Sequence, residues 1–317
     1  MKKTIFIIIS VILFFIFIEL ICLAAETISI SFFERTIFKL KTTLDERNLL
    51  YKYDRIFGWF PKKNYQAYFK GYKKILVQNN SLGFRDPERT NKKTKPRIMV
   101  IGDSFVWGYD VEQHERFTEK LQEKLKNYEI INCGVSGYGT DQEYLIFKKY
   151  FAAVNPDIIF LLFCDNDRIE NTKNSRGNYY KPYLVIENNE IVLKGIPVPK
   201  SLNYYYNSIF SRSTFLWFCV NLYDKFFIPR ITVPDIAEKI IFEMKNELDL
   251  INIPLVIGLI NRDNKLEKFC IENDIHHIVL ENEYIYHVQG NHWTPKGHNF
   301  AADKLYGFLV QKNMLKN

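Results

Sequence analysis

The sequence predicts an α/β fold with a mostly parallel sheet that helices cover on both faces. Short apolar runs alternate with segments of helical apolar spacing along most of residues 97–309, the pattern of strand–helix–strand units. The run at 157–163 is almost continuously apolar, as expected for a central parallel strand that is buried on both faces. Hydrophobic residues make up 47% of the 317 residues, so the chain can fill a large core.

The predicted elements follow one another in regular order. Each expected strand is a short apolar run, at 97–101, 128–132, 157–163, 254–260 and 276–280. Each expected helix repeats apolar residues three or four positions apart, at 115–125, 141–150, 236–250, 266–272 and 297–309. Residues 168–232 interrupt the alternation with a hairpin pattern around Asn188 and Asn189 and an aromatic stretch at 215–220. We interpret that stretch as a helix that packs on the domain, and a lid or a membrane-surface patch is the alternative.

The first 25 residues differ from the rest of the chain. Lys2 and Lys3 precede an apolar stretch, residues 4–25, that is long enough to cross a bilayer as a helix. If the lysines stay in the cytoplasm, the remainder of this single-pass protein is extracytoplasmic. The alternative is a signal peptide cleaved near residues 22–24, which leaves a secreted or periplasmic protein.

The sequence divides behind this N-terminal segment (1–25) into two further parts. Residues 26–95 contain Gly and Pro at intervals, which indicates a lead segment of turns and short strands packing on the core. Residues 96–315 form the main domain, with the insertion at about 168–232.

Composition excludes several classes of function. The net charge of +7 comes from scattered lysines without a nucleic-acid-binding motif, so we expect no nucleic-acid partner. The five cysteines have no zinc-site spacing and the six histidines are scattered, so we expect no metal and no cofactor. Buried free thiols are expected, and a Cys133–Cys164 pair is conceivable because both residues follow predicted strands.

Four polar segments follow predicted strands, at 102–104, 132–137, 165–167 and 291–298. Because the carboxyl ends of parallel strands meet at one edge of a sheet, we expect all four segments to converge there.

The residues of these segments suit acyl transfer. Ser104 can act as a nucleophile if a base reaches it, and His292 is the candidate base. Acyl transfer places negative charge on an oxygen, which the backbone N–H groups of Ser104 and Gly137 and the side-chain amide of Asn166 can stabilise.

In these four segments the chain resembles the SGNH (GDSL-type) hydrolase superfamily, and residues 80–86 resemble the lead of its membrane-linked members. The resemblance implies a flavodoxin-like three-layer α/β/α sandwich with a mostly parallel five-stranded sheet. It also implies that Ser104 is the nucleophile, that Ser104, Gly137 and Asn166 form the oxyanion site, and that His292 is the base.

The chain departs from the family pattern at two points. Cys164 stands where the third segment of the family has Gly, and no Asp stands two or three residues before His292. A Ser–His dyad is therefore expected, with the imidazole oriented by Asn291, Gln289, a backbone carbonyl or a distant acid.

The expected function is an extracytoplasmic, membrane-anchored serine esterase. It would remove an O-acyl group, commonly acetyl, from a cell-envelope or secreted glycan, or transfer it to a sugar hydroxyl. The alternative is a weakly active module that binds glycan or supports an envelope assembly complex; the missing Asp favours this alternative.

Overall fold

Strands and helices alternate through most of the main domain, as the sequence predicts. The computed structural model describes residues 2–27, 49–89, 92–177, 179–201, 204, 213–288 and 290–315. The strands are β1 (Tyr51–Asp54), β2 (Gly58–Pro61), β3 (Tyr65–Lys70), β4 (Lys74–Asn79), β5 (Arg97–Gly102), β6 (Glu129–Asn132), β7 (Ile158–Phe163), β8 (Ser175–Arg176), β9 (Tyr179–Tyr180), β10 (Tyr183–Glu187), β11 (Glu190–Lys194), β12 (Leu255–Leu259) and β13 (His276–Val279). The α-helices are α1 (Lys2–Thr27), α2 (Ser104–Trp107), α3 (Phe117–Lys124), α4 (Thr140–Val154), α5 (Asp167–Asn171), α6 (Thr214–Phe227), α7 (Ala237–Asp249), α8 (Asn264–Glu272) and α9 (Pro295–Gln311).

The central sheet has the order β6–β5–β7–β12–β13, and every neighbouring pair is parallel. Counted along the chain, this is the 2-1-3-4-5 order of flavodoxin-like folds. The strand order reverses between β5 and β7, and folds of this kind bind ligands in the crevice at the carboxyl ends of such strands. The predicted five-stranded α/β/α fold is confirmed.

Helices cover both faces of the sheet, because alternate residues of its buried strands point to opposite sides. Ile98 and Val100 of β5 lie in one apolar cluster, which α3 and α9 complete with residues such as Leu121 and Leu305. The intervening Met99 and Ile101 lie in a second cluster, to which α4, α7 and α8 contribute. The site described below lies between these two layers at the edge of the sheet.

The described part of the lead segment consists mainly of two antiparallel hairpins, β1–β2 and β3–β4. Trp59 and Phe60 of β2 are buried in the cluster that contains α4. Arg85 is fully buried, and its guanidinium donates to the carbonyls of Gly108 at 2.7 Å and Val111 at 2.9 Å. The lead segment thereby holds the loop that follows α2. The domain boundaries themselves stay a prediction.

The insertion contains the predicted hairpin, formed by β10 and β11. Its aromatic stretch is helical, as predicted, but among the described elements α6 packs mainly against α1. The rings of Phe15 in α1 and Phe215 in α6 lie 6.2 Å apart. The prediction that this helix packs on the domain was wrong, because an apolar pattern indicates that a helix has a buried face but not which element covers that face.

Helix α1 is long and apolar enough to cross a membrane over Lys3–Ala24, with a mean hydropathy of 3.2. Most of its side chains are exposed in the structure. An exposed apolar helix at this position is consistent with either a membrane anchor or a signal sequence.

All five cysteines are free thiols. The conceivable Cys133–Cys164 pair is wrong: Cys133 lies in the cluster with α4, whereas Cys164 lies in the cluster with α3 on the opposite face of the sheet. Cys133, Cys164 and Cys270 are buried, as expected, whereas Cys22 is half-buried and Cys219 is exposed, contrary to the expectation.

Candidate active site

Ser104 lies at a tight turn between β5 and α2, at the reversal of strand order. The Asp103 carboxylate caps α2 by accepting from the Phe105 N–H at 3.0 Å. Gly102 is required in this turn, because a Cβ there would lie 2.4 Å from Val106 Cγ2. The turn holds the Ser104 hydroxyl at the carboxyl edge of the sheet, where 8% of the residue is exposed.

His292 reaches Ser104 from the segment before α9. The Ser104 Oγ and His292 Nε2 atoms lie 2.8 Å apart. The imidazole stacks on the Tyr109 ring at a centroid distance of 4.5 Å and contacts Phe105 at 5.1 Å. Gly290 passes close to its other edge, where a Cβ would lie 2.5 Å from His292 Cε1. The ring is therefore fixed by packing as well as by Ser104.

Burial, and secondly the positive charge of Arg176, lower the pKa of His292 to about 4. The imidazole is therefore neutral at pH 7. For Nε2 to accept the Ser104 proton, the ring must carry its own proton on Nδ1. A general base at this position therefore needs the tautomer with the proton on Nδ1.

The Nδ1 atom of His292 is buried and has no hydrogen-bond partner among the described residues. Asn291 does not supply one, since its side chain is exposed. Gln289, the other predicted orienting residue, lies outside the described residues. A buried donor without an acceptor costs about 1–3 kcal/mol, and nothing in the described part of the site stabilises the imidazolium that forms when the base takes a proton.

Asn166 and Gly137 lie on the two loops that flank Ser104. The Asn166 side chain does not cap α5; its Oδ1 accepts from the Cys164 thiol at 2.6 Å. Its Nδ2 is buried and has no partner among the described residues, so it can donate to a bound oxyanion. Gly137 has φ +81°, a conformation that favours glycine and brings backbone close to the site.

Three buried carboxyl groups, those of Asp103, Glu143 and Asp167, lie beneath the site. Burial is the main cause that raises the pKa of each, and the negative charges of neighbouring carboxylates raise those of Glu143 and Asp167 further. Asp167 accepts from the Cys164 N–H at 3.1 Å and the Thr140 hydroxyl at 3.3 Å. These contacts fix the loops that carry the site.

A basic cavity of about 350 Å³ has Glu170, Lys173, Arg176 and Arg230 in its lining, and Arg176 links it to the site. Arg176 pairs with Glu170 at 3.1 Å, and its charge acts on both His292 and Asp103. The cavity is open to solvent and large enough for a sugar-sized group.

Two other residues of the fourth segment have structural roles. His298 Nδ1 accepts from the Phe117 N–H at 3.2 Å, and its ring stacks on the Phe117 ring. Trp293 is buried between Phe105 and Phe117. His298 and Trp293 therefore both pack in the core.

Comparisons with known proteins give structural likeness only. No protein-family model matches the chain, and no curated protein matches it. A putative lipolytic protein of the G-D-S-L family from Desulfitobacterium hafniense DCB-2 is 12% identical, with a TM-score of 0.42 over 68% of this chain and 100% of that one. The esterase EstA from a Pseudoalteromonas species is 9% identical, with a TM-score of 0.42 over 70% of this chain and 100% of that one. An acetyl xylan esterase, AlAXEase, is 16% identical, with a TM-score of 0.39 over 67% of this chain and 98% of that one.

The overall similarity to each of these structures is low. This chain has the 2-1-3-4-5 sheet, with Ser104 and His292 at its carboxyl edge. Together with the four sequence segments, these features give this chain the α/β/α fold of the SGNH (GDSL-type) hydrolases.

Proposed function

We propose that the chain is a membrane-anchored, extracytoplasmic serine esterase that acts through an acyl-enzyme on Ser104. The observation that carries the proposal is the 2.8 Å contact between Ser104 Oγ and the neutral His292 Nε2 at the reversal of strand order. The unpartnered Asn166 Nδ2 supports it, because it offers a donor for negative charge on the substrate.

The reaction proceeds in two balanced steps. Ser104 Oγ attacks the ester carbonyl while its proton moves to His292 Nε2, and the carbonyl oxygen becomes an anion facing Asn166 Nδ2 and the N–H groups of Ser104 and Gly137. The bond from the carbonyl carbon to the alcohol oxygen breaks, and the alcohol leaves with the proton from His292. Water then attacks the acyl-enzyme and gives a proton to His292. The bond from the acyl carbon to Ser104 Oγ breaks, and His292 returns the proton to Ser104 Oγ as the acid leaves.

The proposed substrate is an O-acylated glycan of the cell envelope or a secreted polysaccharide, with acetyl as the acyl group. The open cavity beside Arg176 has room for the sugar. If a sugar hydroxyl replaces water in the second step, the same site acts as an O-acyltransferase. Incubation with an acetylated glycan, with and without a deacetylated acceptor, distinguishes the two: free acetate indicates hydrolysis, and acetylated acceptor indicates transfer. If neither free acetate nor acetylated acceptor forms, both the esterase and the acyltransferase are contradicted.

The unpartnered Nδ1 of His292 favours a second candidate, a weakly active module that binds glycan or supports an assembly complex. Such a module binds an acylated glycan without turning it over. Equilibrium binding without product release, measured on the same glycan, is the result that supports it.

Activity is expected to persist well into the acid range. The active form needs neutral His292, so kcat/KM falls only as the pH drops through its pKa of about 4. Replacing Arg176 by Gln removes a positive charge that lowers this pKa and should move the acid limb to higher pH. The midpoint of the acid limb should stay below pH 6.5, because burial is the larger cause of the lowered pKa and is unchanged in the variant. The pH profile of p-nitrophenyl acetate hydrolysis measures the shift, with Arg262→Gln, an exposed arginine on the loop before α8, as control.

Gln289→Asp is expected to raise activity. Gln289 stands three residues before His292, where the pattern of the resembled family carries Asp. A carboxylate that reaches the imidazole would stabilise its charged form, and in enzymes with a built-in triad the carboxylate contributes about 10⁴-fold. At an unoptimised position we expect about tenfold in kcat/KM, with the acid limb at higher pH. Gln289→Asn is the matched neutral control, and an equal rise in both variants would contradict a charge effect.

A further inference from the structure

Glu19 is an acidic residue inside the apolar span of α1. Charged side chains in membrane spans are costly and normally have a polar partner. The Glu19 carboxylate accepts from the Ser213 hydroxyl at 2.6 Å, the Thr214 N–H at 2.6 Å and the Phe215 N–H at 3.1 Å. It therefore caps the N-terminus of α6.

The cap satisfies the first turn of α6. These N–H groups have no acceptor within the helix, and the Ser213 hydroxyl accepts from the next one, Leu216 N–H, at 3.1 Å. In lipid, where water does not supply acceptors, each unsatisfied group costs several kcal/mol. Such complete capping suits a helix end that lies in the membrane, and the carboxylate also complements the positive end of the helix dipole.

The position of α6 along α1 places it near one membrane boundary. Glu19 lies five residues before Ala24, the end of the span, which is about 7.5 Å at 1.5 Å per residue. Tyr223, Phe226 and Phe227 near the end of α6 are 53%, 71% and 71% exposed. Exposed aromatic residues of this kind are typical of the membrane–water interface.

We propose that α6 is a second membrane-embedded helix, seated beside α1 in the leaflet next to the domain and joined to it through Glu19. The proposal rests on the uncleaved anchor of the proposed function, because cleavage near residues 22–24 would remove Glu19 and expose the first turn of α6. Its occupant is lipid, since Tyr223, Phe226 and Phe227 are exposed on a helix that packs against the apolar span of α1.

The embedded helix brings the basic cavity to the bilayer surface. Arg230 and Ile231 line the cavity and follow Phe227, the last residue of α6, by three and four positions. An extended chain of three residues spans about 10 Å. The substrate would therefore enter the site at the membrane surface.

The test uses the full chain in phosphatidylcholine vesicles, with Cys22→Ser and Cys219→Ser to leave only buried native thiols. Phe226→Cys carries an environment-sensitive fluorophore, and Ile271→Cys is the matched control, 69% exposed on α8. Nitroxide groups on the lipid headgroups should quench the label at 226 several-fold more strongly than the label at 271. If the protein floats with the vesicles but both labels report water, the embedded helix is wrong. If it does not float, the anchor of the proposed function is wrong as well.

Glu19→Ala in the same labelled protein tests the cap. The label at 226 should lose most of its quenching while flotation through α1 is retained. Glu19→Gln keeps an acceptor oxygen and should preserve part of the quenching. Full quenching in Glu19→Ala would show that Glu19 does not hold α6.

Discussion

Ser104→Ala is expected to abolish both hydrolysis of p-nitrophenyl acetate and covalent labelling by a fluorophosphonate. Alanine has no oxygen to form the acyl-enzyme, and the remaining oxyanion donors act only on direct attack by water. In a serine hydrolase the loss of the nucleophile lowers kcat by about 10⁶-fold, and we expect at least about 10⁴-fold here because the His292 base is weak. The variant should still fold, since the Ser104 hydroxyl makes two hydrogen bonds, with His292 Nε2 at 2.8 Å and with Asp103 Oδ2 at 3.3 Å, and the loss of each costs about 1 kcal/mol.

Ser136→Ala is the matched control for this variant. Ser136 lies on the loop after β6 and is 7% exposed, against 8% for Ser104. The Ser136→Ala protein should still be labelled by the fluorophosphonate, because it keeps Ser104 and the contact of Ser104 with His292. Gel fluorescence of the labelled proteins, together with thermal melting, measures both expectations. A folded wild-type protein that takes no label would overturn the esterase and leave the glycan-binding module.

The fold could be read from the sequence because its strands carry their own local pattern. The central strand was expected at 157–163, and β7 covers Ile158–Phe163. Helix α4 runs four residues beyond its expected end at 150, until Asn155 ends it in the left-handed conformation. Helix α3 begins two residues later than expected, because Gln113–Glu115 form a separate 3-10 turn. These boundary errors come from caps and turns, which apolar periodicity does not report.

Only the site residues that lie in the four polar segments could be predicted from the sequence. Ser104 and His292 meet because both follow strands of a parallel sheet, and the absence of a carboxylate behind His292 was visible in the sequence. The stacking of Tyr109 on the imidazole and the charge of Arg176 had no sequence signal, because they are contacts between distant segments. Such contacts depend on loop paths, which residue spacing does not determine.

Cys164 shows how a departure from a family pattern can acquire a role. A glycine at this position has no side chain, whereas the Cys164 thiol donates to Asn166 Oδ1 at 2.6 Å. This bond turns the amide so that Nδ2, and not the oxygen, is the unpartnered atom. Cys164→Ala should therefore weaken the preference of the Asn166 amide for this orientation. Cys164→Ser, which keeps a hydrogen-bond donor, should preserve that preference.

Asn166→Ala is expected to lower kcat by about 10²–10³-fold, which corresponds to about 2.7–4 kcal/mol of transition-state stabilisation. Nδ2 is already buried without a partner in the described structure. The free-energy cost of removing it from water therefore arises on folding and not when substrate binds. The oxyanion of the transition state then gains a donor that the neutral ester carbonyl uses only weakly, and KM should change little.

Steady-state kinetics of Asn166→Ala, with Asn171→Ala as a control, separate this role from a structural one. Asn171 is a buried amide at the end of α5, the short helix that Asn166 precedes, but both ends of its side chain are already bonded, to the Asp141 N–H and to Asp235. Its loss should lower the melting temperature more than kcat. A rise in KM with unchanged kcat in Asn166→Ala would mean that the amide binds substrate and transition state equally, because only an interaction that strengthens with the developing charge lowers the barrier.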